Sequence, residues 1–157
     1  ARAIVFIMAD TGARLNEIAG LEAEDILLEA SVPHILIRPN RTRALKTSHS
    51  ERSVPLVGTA LMAIRKHPDG FLRYAGKNAQ ASAAINKYLK DNNLLPDGAT
   101  LYGLRHGFQD RLIEVEAPER IQADLMGHKI HRPRYGKGPK LEQMRSWLLK
   151  TALYPAS

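Results

Sequence analysis

The chain has 157 residues, 44% of them hydrophobic and 25% charged, which is length and apolar content for one domain with a proper core and too little for two. It contains no cysteine, which excludes disulfides, thiol catalysis and cysteine metal sites and fits a reducing compartment. Its 23 Lys and Arg against 16 Asp and Glu leave a formal net charge of +7, pointing to a polyanionic partner with nucleic acid first in line.

The opening run ARAIVFIMA reads as a buried helix that stops at the DTG turn. It is too short to span a bilayer, Asp10 ends it, and it lacks a signal-peptide cleavage pattern, so no membrane association is expected. A chain that enters helix-like sequence directly from Ala1 reads as a fragment of a longer protein. A short helix follows in RLNEIAGL, and DILLEA, HILIRP and RSVPL are strand-like, rich in Ile, Val and Leu with turn residues between them. Helical spacing returns in LVGTALMAIRKH until HPDG, and again in the Ala-rich NAQASAAINKYLKDN. Further helices are expected over 103–115, over 118–126 with Pro118 at its first position, and over about 139–152. The predicted fold is α+β, mainly helical, with one small antiparallel sheet of about three strands.

Several polar clusters stand out from this scaffold. In TGARLNE, Arg14 precedes Glu17 by three residues, a spacing that also suits a plain surface ion pair at a helix start. Lys46 sits in ALKTSHSERSVPL, where a hairpin turn is expected and a solvated lysine is the common occupant. In LYGLRHGFQDRL the apolar Leu101, Leu104, Phe108 and Leu112 mark a core-facing stripe, while Tyr102 and Arg105 lie one helical turn apart, with His106 next to them. In LMGHKIHRPRYGKG, His128 follows a helix-ending glycine and Tyr135 lies in a basic loop between Arg134 and Lys137. Tyr74 and Tyr88 read as packing residues, and Tyr154 as part of a frayed tail. His128 and His131 are three apart but share neither a helix nor a carboxylate, so no metal site is expected for want of a third ligand.

The order of these clusters resembles the tyrosine recombinases, the bacteriophage integrase family: an Arg, a hairpin Lys, Arg-His on a helix, Gly-His, then a Tyr before a last helix. TGARLNEIAGLEAEDI is similar to that family's first arginine box, and LRHGFQDRLIEVEAPERIQADLMGH to its second box through the Gly-His. RYGKG ahead of an amphipathic helix is similar to integrases of prophages and genomic islands. The resemblance runs over residues 1–152 or so and implies the family's catalytic domain over 1–157, without the N-terminal core-binding and arm-binding domains of relatives.

The resemblance further implies double-stranded DNA as partner and strand cleavage and rejoining through a 3′-phosphotyrosine, without ATP, metal or any cofactor. Arg14 and Arg105 would hold the scissile phosphate, since a guanidinium forks two hydrogen bonds onto phosphate and stays charged. Lys46 would protonate the leaving 5′-oxygen, with Arg43 as the fallback if the lysine is misassigned. Tyr135 would be the nucleophile, His128 would hydrogen-bond the phosphate, and Glu17 would support Arg14. Tyr102 stands where the family usually has histidine; a phenol donates a hydrogen bond but carries no positive charge. His106 is read as a residue behind the site or in packing. The loop from His128 to Tyr135 is shorter than in many relatives, leaving open whether the tyrosine acts in its own subunit.

Leu141, Met144, Leu148 and Ala152, widened by Trp147 and Leu149, form an apolar stripe on the last helix. It packs either on its own core or, as the resemblance implies, on a neighbouring protomer, giving a homotetramer on two duplexes from subunits that are monomeric when free. The expected setting is the cytoplasm of a bacterial host, and the expected bearer a phage or other mobile element. Alternatives are a type IB topoisomerase making the same bond, or a DNA-binding relic of the fold. A metal-dependent nuclease fits less well because no acidic cluster is visible.

Overall fold

Helix α1 (Arg2–Thr11) is the post around which the other elements gather, touching α2, α3, α5 and α7. The computed structural model describes residues 1–131 and 136–154. Ile4, Ile7 and Met8 are buried against the core, and the two polar residues at the end of α1, Asp10 and Thr11, are buried as well. Gly12 ends the helix in the left-handed conformation, φ 63°, with its N–H donated to the Met8 carbonyl at 2.9 Å. A Cβ at this position would lie 2.2 Å from Cδ1 of Phe108. Glycine thus serves two needs, the positive φ and the close approach of α5.

Helix α2 (Leu15–Ala19) leads into β1 (Ile26–Leu27), β2 (His34–Ile37) and β3 (Arg52–Pro55), an antiparallel sheet in the order β1-β2-β3. Ile26 stands opposite Ile35, and Ile35 opposite Val54. The remaining helices are α3 (Gly58–Arg65), α4 (Asn78–Asp91), α5 (Gly103–Glu114), α6 (Glu119–Met126) and α7 (Leu141–Thr151). The predicted mainly helical α+β architecture is the observed one, with β1 far shorter than DILLEA led us to expect. Leu101, Phe108 and Leu112 are buried as their spacing required, whereas Tyr88 is exposed and not a packing residue.

Residues 38–51 join β2 to β3 in a long excursion instead of a tight hairpin, closed by a 3-10 turn at Ser48–Ser50. The base of this excursion is an ion-pair knot around Asp25, whose carboxylate is fully buried. It accepts from Arg38 Nε at 2.7 Å and from Arg43 Nη2 at 3.2 Å. Arg43 also donates to the carbonyls of Arg38 at 2.6 Å and Glu17 at 2.9 Å, and its side chain has no exposed surface. Arg43 is therefore a structural cation, and as a fallback proton donor it is excluded by its own hydrogen bonds.

A second buried carboxylate, Asp10, accepts from Thr59 N at 2.8 Å, Thr59 Oγ1 at 2.5 Å and Leu153 N at 3.1 Å. Arg111 lies beside it at 3.7 Å and donates to the Ala9 carbonyl at 2.5 Å and the Thr151 carbonyl at 3.0 Å. Together they tie the end of α7 to α1, α3 and α5. Helix α7 lies on the core of its own chain, with Met144 and Leu148 buried and Leu149 exposed.

Candidate active site

Arg14 is the residue just before α2, in extended conformation at φ −75° and ψ 153°. Its backbone N–H donates to Glu17 Oε2 at 2.8 Å and its Nη1 to Glu17 Oε1 at 2.9 Å. The three-residue spacing seen in the sequence is thus a capping contact and an ion pair at once. Glu17 is buried, and it receives a second guanidinium: Arg52 Nη1 at 3.1 Å on Oε1 and Nη2 at 2.9 Å on Oε2. Burial by itself pushes the Glu17 carboxyl up, but the hydrogen bonds and charges of Arg52 and Arg14 outweigh it, and the carboxyl is held below its ordinary value of 4.5.

That direction has a consequence for acid stability. The folded chain holds Glu17 ionised where the unfolded chain protonates it, so its contribution is complete above pH 4.5 and is lost as pH falls through the lower folded value. In urea titrations between pH 6 and 3, Glu17→Gln is expected to flatten the acid loss of stability relative to the parent. Parallel curves for the two proteins would refute the assignment.

Arg105, on α5, is buried. One of its Nη atoms donates to the Gly12 carbonyl; the other donates to the Met126 carbonyl at 2.5 Å and reaches His128 Nε2 at 3.0 Å. A guanidinium only donates, so Nε2 is the acceptor and the His128 proton sits on Nδ1. Burial first, then the positive charges of Arg105, Arg14 and Arg52, lowers the His128 pKa below 6.5 and keeps the ring neutral at pH 7. Burial and the neighbouring Arg14 and Arg52 push Arg105 down to about 10, which still leaves it charged at neutral pH.

Two guanidiniums, Arg14 and Arg52, therefore share the Glu17 carboxylate, and their charges reach a third, Arg105, and the His128 imidazole bonded to it. Arg105 has carbonyls and His128 as its described partners, with no carboxylate in salt-bridge range. Such a surplus of positive charge in a partly buried site has the chemistry to receive an anion.

Tyr102, just before α5, is exposed, with its ring edge-on to His106 at 5.0 Å between centroids. His106 is exposed too, so it stacks on Tyr102 and does not pack in the core. Lys46 is exposed within the 38–51 excursion. Tyr135 lies outside the described residues. Arg52 escaped the sequence reading: it looks like an ordinary outward residue of an alternating strand, and only its arrival beside Glu17 distinguishes it. Among the described residues no group of three or more His, Cys, Asp or Glu side chains is placed to hold a metal ion, and no helix is long and apolar enough to cross a membrane.

The family model described as the phage integrase family matches residues 1–132. The tyrosine recombinase XerC of Neisseria meningitidis is 24% identical over 141 residues, covering 80% of this chain and 43% of its own length. The tyrosine recombinase XerD of Corynebacterium glutamicum is 28% identical over 142 residues, covering 81% of this chain and 44% of its own. Among solved structures, the Tn1549 transposon integrase in complex with a circular intermediate DNA has a TM-score of 0.63 at 19% identity, over 97% of this chain and 54% of that one. The chain spans about half the length of the proteins it matches.

Proposed function

We propose that this chain, which belongs to the phage integrase family, is the strand-transferring part of a site-specific DNA recombinase. The observation that carries the reading is the cluster of Arg14, held by the buried Glu17, with Arg105 and its hydrogen-bonded His128 within reach of the same charges. The duplex phosphate is the anion this receptor takes. The likeness to XerC, XerD and a transposon integrase supports recombination and a mobile-element setting in a bacterial cell.

The chemistry follows from that assignment. Arg14 and Arg105 hold the phosphoryl oxygens and offset the charge that builds on them in the transition state. The Tyr135 oxygen attacks phosphorus after losing its proton to the site, the bond to the 5′-oxygen breaks, and Lys46 protonates that leaving oxygen. A free 5′-hydroxyl then reverses the sequence and rejoins the strand, so no external energy source is consumed. Lys46 lies on the 38–51 excursion, a mount that closes on bound DNA while the arginines stay on rigid elements. His128, neutral with its proton on Nδ1, contributes a hydrogen bond to phosphate once the ring turns or takes up a second proton near the anion. Tyr102, at the mouth of the site, supplies a phenolic donor in place of the usual imidazole.

Duplex binding runs through phosphates and falls steeply with salt. The working assembly is a homotetramer on two duplexes, joined by exchange of α7 between protomers that are monomers in the free state. Full-length protein incubated without metal on duplexes nicked at candidate attachment sites is expected to yield a denaturant-resistant adduct. Mass spectrometry should place it on Tyr135, and Tyr135→Phe should lack it. An adduct that always reseals its own strand would mark a topoisomerase, and no adduct on any duplex would leave a DNA-binding relic.

A further inference from the structure

Arg52 joins three separated pieces of the site. Its Nη1 and Nη2 fork onto both oxygens of Glu17, at 3.1 and 2.9 Å. Its Nη1 also donates to the Ser50 carbonyl at 2.7 Å, in the turn that ends the Lys46 excursion. Its Nε donates to the Leu125 carbonyl at 2.9 Å, three residues before His128. Four of the five Arg52 N–H groups are used inside the protein, and its side chain is only 6% exposed. The end of α6 is shaped to admit it, since Gly127 has φ 64° and a Cβ there would lie 2.7 Å from Arg52 Nη1.

We infer that Arg52 is a positioning residue, which fixes the Glu17 carboxylate so that Arg14 is aimed, and locks the Lys46 excursion and the His128 turn to the same point. Apart from Arg52, Glu17 is held by the Arg14 backbone N–H on Oε2 at 2.8 Å and by Arg14 Nη1 on Oε1, and that side chain is 21% exposed with its Nη1 shared with Ser50 Oγ at 3.4 Å. The backbone bond anchors one oxygen only, and the other would follow the partly exposed Arg14 guanidinium. The bidentate fork from β3 removes that freedom, because two parallel hydrogen bonds fix the plane of a carboxylate where one does not. Ser50 links both cations: its carbonyl accepts from Arg52 and its hydroxyl from Arg14. Arg52 thus acts on a substrate only through its neighbours, and this role rests on the phosphate reading proposed above.

Arg52→Lys is the informative variant, because it keeps the positive charge beside Glu17 and loses the fork. In full-length protein on saturating nicked duplex, we expect its rate of adduct formation to fall by about tenfold to a hundredfold, the scale on which small misplacements act. Its duplex Kd should stay within about twofold of the parent, since no phosphate contact is removed. Adding Arg14→Lys should cost little more than Arg14→Lys alone, because both changes act on one guanidinium. The paired variant Glu17→Gln/Arg52→Gln removes the buried charges together and should fold but still react slowly.

A parent-like rate in Arg52→Lys or in the paired variant, full additivity with Arg14→Lys, or a loss explained wholly by weaker DNA binding would each overturn the inference. A second readout needs no cleavage: in the parent the Arg14 Nη protons should give separate NMR signals from hindered rotation, which merge in Arg52→Lys. Unchanged Arg14 signals would overturn the positioning role even if the parent is active. If the parent forms no adduct on any duplex, the recombinase reading fails, while the same spectra still decide whether Arg52 aims Arg14.

Discussion

Arg105→Lys is expected to reduce the rate of phosphotyrosine formation by about 10²–10³, the usual cost of removing one fixed donor from a developing oxyanion. Two effects compete on stability. The substitution orphans the Gly12 and Met126 carbonyls that Arg105 serves, worth about 1–3 kcal/mol each when an acceptor is left buried and unpaired. Against this, Arg105 is a buried cation held down to about 10 by burial, Arg14 and Arg52, and a lysine retreats to solvent more readily. We expect these to cancel to within about 2 kcal/mol, so activity falls far more than stability. Single-turnover adduct formation on saturating nicked duplex, paired with urea denaturation, separates the two. A variant that keeps its rate while losing stability would make Arg105 a structural clamp and not a phosphate ligand.

Gly12→Ala should have the largest effect on stability of any single methyl added to the site. A non-glycine residue in the left-handed region costs about 1–2 kcal/mol. The new Cβ would also lie 2.2 Å from Phe108, and forcing a methyl into a packed core costs a further 1–3 kcal/mol or so. Together they predict a loss of about 3–4 kcal/mol and a fall in Tm of about 10 °C for a chain of this size. The damage should reach the site, because the Gly12 carbonyl accepts from Arg105. Thermal unfolding of the variant checks the first claim, and the Arg105 guanidinium NMR signals check the second. A parent-like Tm would mean that Phe108 gives way without cost.

The helices were readable because their apolar spacing is local: Leu101, Phe108 and Leu112 announce a buried stripe in any helical context, and they are buried. Arg14 and Glu17 were readable as a pair for the same reason, being one turn apart. The direction in which Arg105 points was not, since its partners Gly12 and Met126 lie 93 and 21 residues away. Spacing placed Tyr102 and Arg105 on one face, yet one is exposed and the other buried. Arg52 is the harder case. In RSVPL it has the look of an exposed strand residue, and what gives it a role is a carboxylate 35 positions earlier together with a glycine on another helix that leaves it room. Arg43 was misjudged for the complementary reason: nothing local reveals that Asp25, 18 residues back, already holds it.

The seat of α7 carries one more consequence. Asp10, Thr59 and Arg111 receive the end of this helix through groups that every copy of the chain presents identically. A helix arriving from a second copy would satisfy the same donors and acceptors, so occupancy by self or neighbour differs little in contact energy. What decides between them is effective concentration. In dilute solution the tethered helix has the advantage of proximity, and copies gathered side by side on one polyanion lose that advantage as their local concentration approaches the millimolar range. In the proposed assembly the Asp10 seat would then be a coincidence detector, reporting through which helix fills it whether neighbours are present.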